Sequence, residues 1–243
     1  MSGNVSLLQA WARFCFGRAC LVCHRSTLLA PGDSGLCRPC LADLPWRLSD
    51  CALPWPKDLV DDLPSGARTT FLGSHILVAC RYEPPVRDGL LALKFHDASE
   101  WSQTFAALAA MLLRRRPERF DALAAVPLHV DRLAERGYNQ AGLIATALAR
   151  RLNLPDWSSQ LIRHRATARQ SEQQSREDRR HNLIDAFIWT GPPDLRPAHV
   201  LLIDDVLTTG STLLAAAMPL VQHGAQVTGL VVASNQMASA VSS

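Results

Sequence analysis

From about Phe71 to the end of the chain, short apolar runs alternate with longer segments whose apolar positions recur at helical spacing. HILVACRYE predicts a strand, Val86 to Phe95 a short helix, and WSQTFAALAAMLLRR an amphipathic helix. FDALAAVP then predicts a buried strand, YNQAGLIATALARRL a helix, HVLLIDDV a strand, STLLAAAMPLVQH a helix, and AQVTGLVVAS a closing strand. Strands alternating with helices of about 10 to 15 residues imply βαβ units, so the fold class is α/β with a mostly parallel sheet flanked by helices. Ligands of such sheets bind beyond the carboxyl ends of the strands, which singles out the loops after Val126 and after Asp205. Residues 1–70 lack this periodicity and are rich in Cys, Pro and Trp, as in a small module held by something other than a large core. The expected organisation is therefore a module over residues 1–70 and an α/β domain over residues 71–243. Between Leu161 and Phe187 the chain is polar and rich in Arg and Gln, which predicts a mobile or partly helical segment. The tail NQMASAVSS reads as frayed.

Composition changes this picture only slightly. With 243 residues, 48% of them apolar, the chain can bury one substantial core and carry a satellite. A net charge of +3 does not by itself imply nucleic-acid binding. No apolar run approaches the roughly 18 residues of a membrane span, so a chain without a transmembrane segment is expected. Leu7, Leu8, Trp11, Phe14 and Phe16 lie near the start without a basic n-region or a small-residue cleavage site. They predict a helix docked on the body, with a membrane-surface anchor as the alternative. Of 25 basic residues only Lys57 and Lys94 are lysines, a bias we attribute to genomic base composition.

The chemistry concentrates in VLLIDDVLTTGST. If VLLI is a buried strand, Asp204 and Asp205 emerge at its carboxyl end, where packing gives two adjacent carboxylates no purpose. Thr208, Thr209, Gly210, Ser211 and Thr212 then turn the chain into a helix whose first N–H groups are unsatisfied and carry the positive end of the dipole. Hydroxyls, N–H groups and a glycine make a phosphate cradle, and acids a few residues upstream suit ribose hydroxyls, directly or through Mg²⁺. An ordinary N-cap accounts for one or two of the hydroxyls but not for the acidic pair. Neither a Walker A sequence nor G-x-G-x-x-G occurs.

This stretch resembles the motif by which type I phosphoribosyltransferases bind 5-phosphoribosyl diphosphate (PRPP). In that family the loop after the first core strand holds the diphosphate. Here that loop carries Arg132 and Arg136, followed by Gly137, Tyr138, Asn139 and Gln140, residues that suit a leaving group of growing negative charge. Read alone, the string is equally a solvated loop with a glycine turn. Lys94, after an apolar strip, is expected on the same diphosphate side.

VPLHVDRLAERGYNQA, RHRATARQSEQQSREDRRHNLIDAF and LKFHD together resemble the ComF family, over about Cys20 to Val232. That family joins an amino-terminal zinc ribbon to a phosphoribosyltransferase domain. The match falls on Arg132, Arg136, Gly137, Tyr138, Asn139 and Gln140, and on Arg165, Gln170, Arg176, Arg179, Asn182 and Phe187. It implies a type I phosphoribosyltransferase-like sheet with Asp204, Asp205, Arg132 and Arg136 as catalytic residues. Substrate binding would fall to Thr208, Thr209, Gly210, Ser211, Thr212, Arg165, Arg176 and Arg179. The basic stretch could close over a polyanionic substrate, touch a nucleic-acid backbone, or simply form a charged surface helix.

Cys20, Cys23, Cys37 and Cys40 form C-x2-C-x13-C-x2-C, an arrangement that presents four thiolates to a structural Zn²⁺. ComF relatives carry a second cysteine cluster, but here only Cys51 follows, so the second ribbon is expected to be degenerate. Cys15 and Cys80 read as small buried apolar residues. The resemblance also implies a role in DNA uptake during natural transformation, with single-stranded DNA and the uptake machinery as partners. A cytoplasmic location follows, with a peripheral position at the inner membrane left open. The alternatives are a metabolic phosphoribosyltransferase using an unidentified nitrogen acceptor and a non-catalytic PRPP sensor, so enzymatic activity stays undecided at this level.

Overall fold

The computed structural model describes residues 19–25, 30, 34–95, 98–164 and 186–236. The expected amino-terminal docking helix, Cys15, the basic stretch with Arg165, Arg176 and Arg179, and the final residues of the tail lie outside these. In chain order the elements are α1 (Arg38–Ala42), β1 (Ala52–Leu53), α2 (Lys57–Val60), α3 (Ser65–Leu72), β2 (Ile76–Arg81), α4 (Val86–Phe95), α5 (Glu100–Leu113), β3 (Ala122–Ala125), α6 (Val130–Arg136) and α7 (Gln140–Leu152). A 3₁₀ turn (Ser158–Gln160) leads to β4 (Leu161–Arg163), then β5 (Phe187–Trp189), β6 (His199–Leu207), α8 (Ser211–Gln222) and β7 (Gln226–Ser234).

The main sheet has the order β1-β2-β7-β6-β3, parallel throughout except for the antiparallel β1–β2 edge. Its inner strands are continuous apolar runs because both faces are covered. Successive side chains point to opposite faces, and the burial follows suit. Leu77, Ala79, Leu201, Ile203, Leu230 and Val232 meet Phe105, Leu108, Ile144 and Leu148 of α5 and α7. Val78, Val200, Leu202, Val227 and Val231 meet Leu213, Leu214 and Met218 of α8 on the other side. Truncating a fully buried side chain such as Phe105 in such a core costs about 3–5 kcal/mol.

Two features go beyond the sequence pattern. Residues 45–53 continue the main sheet: Trp46 bridges Cys80, the Arg47 N–H donates to the Ala79 carbonyl, and β1 pairs Ala52 with Leu77 and Leu53 with Ile76. The ends of the polar stretch, expected to be mobile or helical, instead pair as an antiparallel ribbon, Leu161 with Trp189, Ile162 with Ile188 and Arg163 with Phe187. Three-residue strands are too short to show alternation, and their pairing joins residues far apart in sequence.

Candidate functional site

The acids lie within β6, not at its end: the strand runs on to Leu207, with Asp204 paired to Val231 and Leu207 to Ser234 of β7. On its other side β3 stops earlier, its last ladder pair being Ala125 with Ile203. The Val126 N–H still donates to the Ile203 carbonyl at 2.8 Å, after which the chain turns away. One flank of Asp204 and Asp205 thus stays in the sheet while the other faces a cleft of about 1050 Å³. This is the crevice that opens between diverging connections of a parallel sheet.

The cleft brings together Asp204, Asp205, Thr208 and Thr212 with Lys94, His129, Arg132, Arg136 and Arg163. Backbone geometry sets the acids in place: the Asp205 N–H donates to Asp204 Oδ1 at 2.8 Å, and the Val206 N–H to Asp205 Oδ1 at 2.7 Å. Lys94 Nζ lies 2.7 Å from Asp205 Oδ2. Asp204 keeps some surface toward the cleft, yet lost hydration, and next the Asp205 carboxylate, push its carboxyl up to about 8 against the opposing pull of Lys94. A carboxyl so perturbed in a cleft is the mark of a candidate functional site.

Below the acids, the loop 208–210 ends in Gly210, which precedes α8 at φ 79°. That left-handed conformation favours glycine, and a Cβ there would lie 2.6 Å from Pro56 Cγ. Having no side chain, Gly210 makes no cap for α8; the Ser211 N–H donates to Thr209 Oγ1 at 3.4 Å, and the next N–H groups of the first turn, without intrahelical partners, are donors suited to an anion. The Thr209 and Ser211 hydroxyls are 2.8 Å apart and bond to each other, while Thr208 and Thr212 line the cleft.

The second loop is held from both sides. His129 Nδ1 accepts the Asp131 N–H at the start of α6, and Gly137 ends that helix at φ 77°. Tyr138 donates its hydroxyl to the Leu93 carbonyl at 2.6 Å, and Asn139 Nδ2 donates to the Val126 carbonyl at 2.9 Å. Arg136 lies over the Phe95 ring at 5.2 Å and donates to Gln140 Oε1 at 3.2 Å. Gln140 is buried, lines the cleft, and its Nε2 has no hydrogen-bond partner among the described residues. Such a donor suits an oxygen-rich anion.

Arg163 was missed by the sequence reading. It stands over the Phe187 ring at 5.3 Å, and burial, then the nearby Arg132 charge, lower its pKa. Only the β4–β5 register carries it to the cleft; in sequence it is one arginine of a basic run. His129 was also passed over, although it adjoins the motif residues of the same loop.

The four cysteines form a separate centre. Their Sγ atoms all lie within 4.8 Å of one another, with Cys23 and Cys37 at 3.8 Å. Tetrahedral thiolate coordination of zinc at about 2.3 Å requires sulfur atoms about 3.8 Å apart, so the set fits structural Zn²⁺. Burial opposes ionisation of Cys20, but N–H groups including that of Cys37, at 3.3 Å, prevail and bring it to about 6. Burial, then the neighbouring sulfurs, push Cys40 up to about 12. Four such thiols are jointly ionised only with a cation among them. Pro39 sits at the start of α1, where its missing N–H costs nothing. Cys51 is buried in the apolar core, and burial alone raises Cys80 to about 12.

Residues 138–243 match the family described as phosphoribosyl transferase domain, a span that includes the acids and the loop before α8 but not Arg132 or Arg136. The DNA utilization protein YhgH of Salmonella typhimurium is 33% identical over 217 residues, covering 85% of this chain and 92% of that protein. Competence protein F of Haemophilus influenzae is 30% identical over 185 residues, 73% of this chain and 74% of the relative. Competence protein ComFC of Bacillus subtilis is 30% identical over 145 residues, 59% and 56% of the two chains. A phosphoribosyltransferase-type sheet carrying a four-cysteine module, similar to the first of these along nearly its whole length, establishes that the chain belongs to the ComF family of phosphoribosyltransferase-like proteins.

Proposed function

We propose that the protein binds PRPP together with Mg²⁺ and serves DNA uptake in natural transformation. The observation that carries the ligand assignment is the gathering, around one cleft, of an acidic pair, the start of a helix and three arginines. Asp204 and Asp205 accept the ribose hydroxyls and stabilise positive charge developing at the anomeric carbon. The 5′-phosphate is taken by Thr208, Thr209, Gly210, Ser211 and Thr212 through hydroxyls and the first N–H groups of α8. Arg132 and Arg136 hold the diphosphate, joined by Arg163. Arg165, Arg176 and Arg179 are assigned to substrate contact by the family resemblance alone. Carboxylates are hard oxygen donors suited to Mg²⁺, which when bound offsets the charge of the diphosphate. Zn²⁺ on Cys20, Cys23, Cys37 and Cys40 is structural, since four thiolates close its coordination. The DNA-uptake role is supported by the names of the relatives, competence protein F and ComFC.

Titration calorimetry of the full chain with PRPP and Mg²⁺ tests the site. Asp204→Asn with Asp205→Asn removes charged acceptors from two or more hydrogen bonds and should weaken binding on the order of a hundredfold. Undetectable Mg²⁺-dependent binding to folded wild-type protein overturns the assignment. The arginines on the leaving-group side favour a second reading, a transferase that uses a nitrogen acceptor. Pyrophosphate release with a panel of nucleobases and amines identifies it, whereas binding without release with every acceptor supports a sensor. Salt-dependent binding of single-stranded DNA supports contact with the incoming strand. Unchanged transformation frequency in a deletion strain of a competent host rules out the uptake role.

A further inference from the structure

Lys94 and the ligand proposed above have the same atom to contend for. Asp205 Oδ1 is taken by the Val206 N–H, so Oδ2 is the oxygen that faces outward, and Lys94 Nζ holds it at 2.7 Å. Both residues line the cleft, and their side chains keep 23% (Lys94) and 15% (Asp205) of their surface exposed, so the pair is reachable by a ligand. Lys94 stands in the last turn of α4, whose end is tied through the Leu93 carbonyl to Tyr138 and thus to the loop bearing Arg132 and Arg136. The four-carbon stem of Lys94 is flexible, and Arg132, Arg136 and Arg163 line the same cleft, a gathering of positive charge that favours an anion. A compact ammonium on a flexible stem can change partners where a planar guanidinium fork is committed to one geometry.

We infer that Lys94 is an exchange cation: ribose hydroxyls or a divalent cation displace it from Asp205 Oδ2, and the released ammonium passes to the diphosphate of the same ligand. The inference rests on the PRPP reading of the cleft and adds to it a coupling between its two halves. Filling the sugar side frees the charge that completes the diphosphate side, so a ligand carrying both groups gains more than the sum of its parts. Lys94 is a competitor toward one half of the ligand and a partner toward the other. A purely structural ion pair has no such double sign.

The test uses the full chain with two separate probes, ribose 5-phosphate with Mg²⁺ and inorganic pyrophosphate with Mg²⁺, read by calorimetry. Lys94→Met should bind ribose 5-phosphate tighter and pyrophosphate weaker, each on the order of tenfold, the scale of one charge-assisted contact. Lys94→Gln, closer in polarity, should shift both in the same directions if the methionine variant folds poorly. Lys94→Arg should keep the contact with Asp205 but lose affinity for pyrophosphate. Weakening of both probes together, or no change in either, overturns the exchange while leaving the PRPP reading intact. Wild-type protein that binds neither probe overturns both.

Discussion

At Asp204 the folded chain holds a carboxyl at about 8, against an ordinary carboxylic value near 4. Because the folded state binds this proton more tightly than the unfolded one, the contribution to stability is full below about pH 4 and is lost as the pH climbs toward 8. Ligand binding runs the other way. Hydroxyl donors and cations favour the carboxylate, so affinity for ribose 5-phosphate with Mg²⁺ should rise between pH 6 and 8, by at most about tenfold per unit. Calorimetry in buffers of different ionisation enthalpy should show proton release on binding at pH 7. Asp204→Asn should flatten the profile, and a flat wild-type profile would show that the group is already ionised in this range. Arg47 illustrates the opposite case: it is 1% exposed, donates to Asp50 Oδ2 from Nε and Nη2, and by that bond holds Asp50 below the usual carboxylate range.

Among the elements, the site depends on where strands stop and helices start. β3 ends while β6 continues, and that difference in length opens the cleft beside Asp204 and Asp205. The turn into α8 works only with glycine at position 210, where φ is 79° and Pro56 presses against the missing side chain. Gly210→Ala combines left-handed strain of about 1 kcal/mol with a close contact. It should therefore weaken ribose 5-phosphate binding and lower the melting temperature by several degrees in a thermal melt. An alanine variant with unchanged affinity would show that the loop need not hold this shape. Long buried elements such as β6, β7, α5 and α7 were readable from periodicity. Helix α6 was not, because it buries no residue and so leaves no apolar stripe in the sequence.

Over the whole molecule, the four-cysteine module and the sheet share one apolar core, with Cys20, Leu36 and Cys37 in the same cluster as Phe105 and Leu108. Thr104 reinforces the joint by donating its hydroxyl to the Ser34 carbonyl at 2.7 Å. A second set of bonds runs from Arg47, in the stretch that follows the cysteines, toward the loop 208–210. Arg47 Nη1 donates to the Gln236 carbonyl at 2.7 Å, Gln236 Nε2 donates to the Thr208 carbonyl, and Ser234 Oγ donates to the Leu207 carbonyl at 3.0 Å. If Zn²⁺ occupies the four cysteines as proposed, a strong chelator should lower thermal stability and also weaken ribose 5-phosphate binding at temperatures where the sheet stays folded. Circular dichroism with parallel calorimetry checks this. Full affinity in the stripped protein would show that the module and the loop are independent. No helix among the described residues is long and apolar enough to cross a membrane.

Local order in the sequence was enough for the α/β alternation, the acidic pair before the helix, the paired C-x2-C turns and the arginines after Val126. Each of these is carried by residues close together along the chain, where spacing maps directly onto geometry. Tertiary structure alone decided the contacts that join distant segments: Lys94 with Asp205, Arg163 carried to the cleft by its pairing with Phe187, and residues 45–53 added to the edge of β2. Sequence pattern identifies residues whose type suits a sugar phosphate, since that is a matter of chemistry. Which charges meet across the cleft depends on strand order and register, and these are set by how the whole core closes.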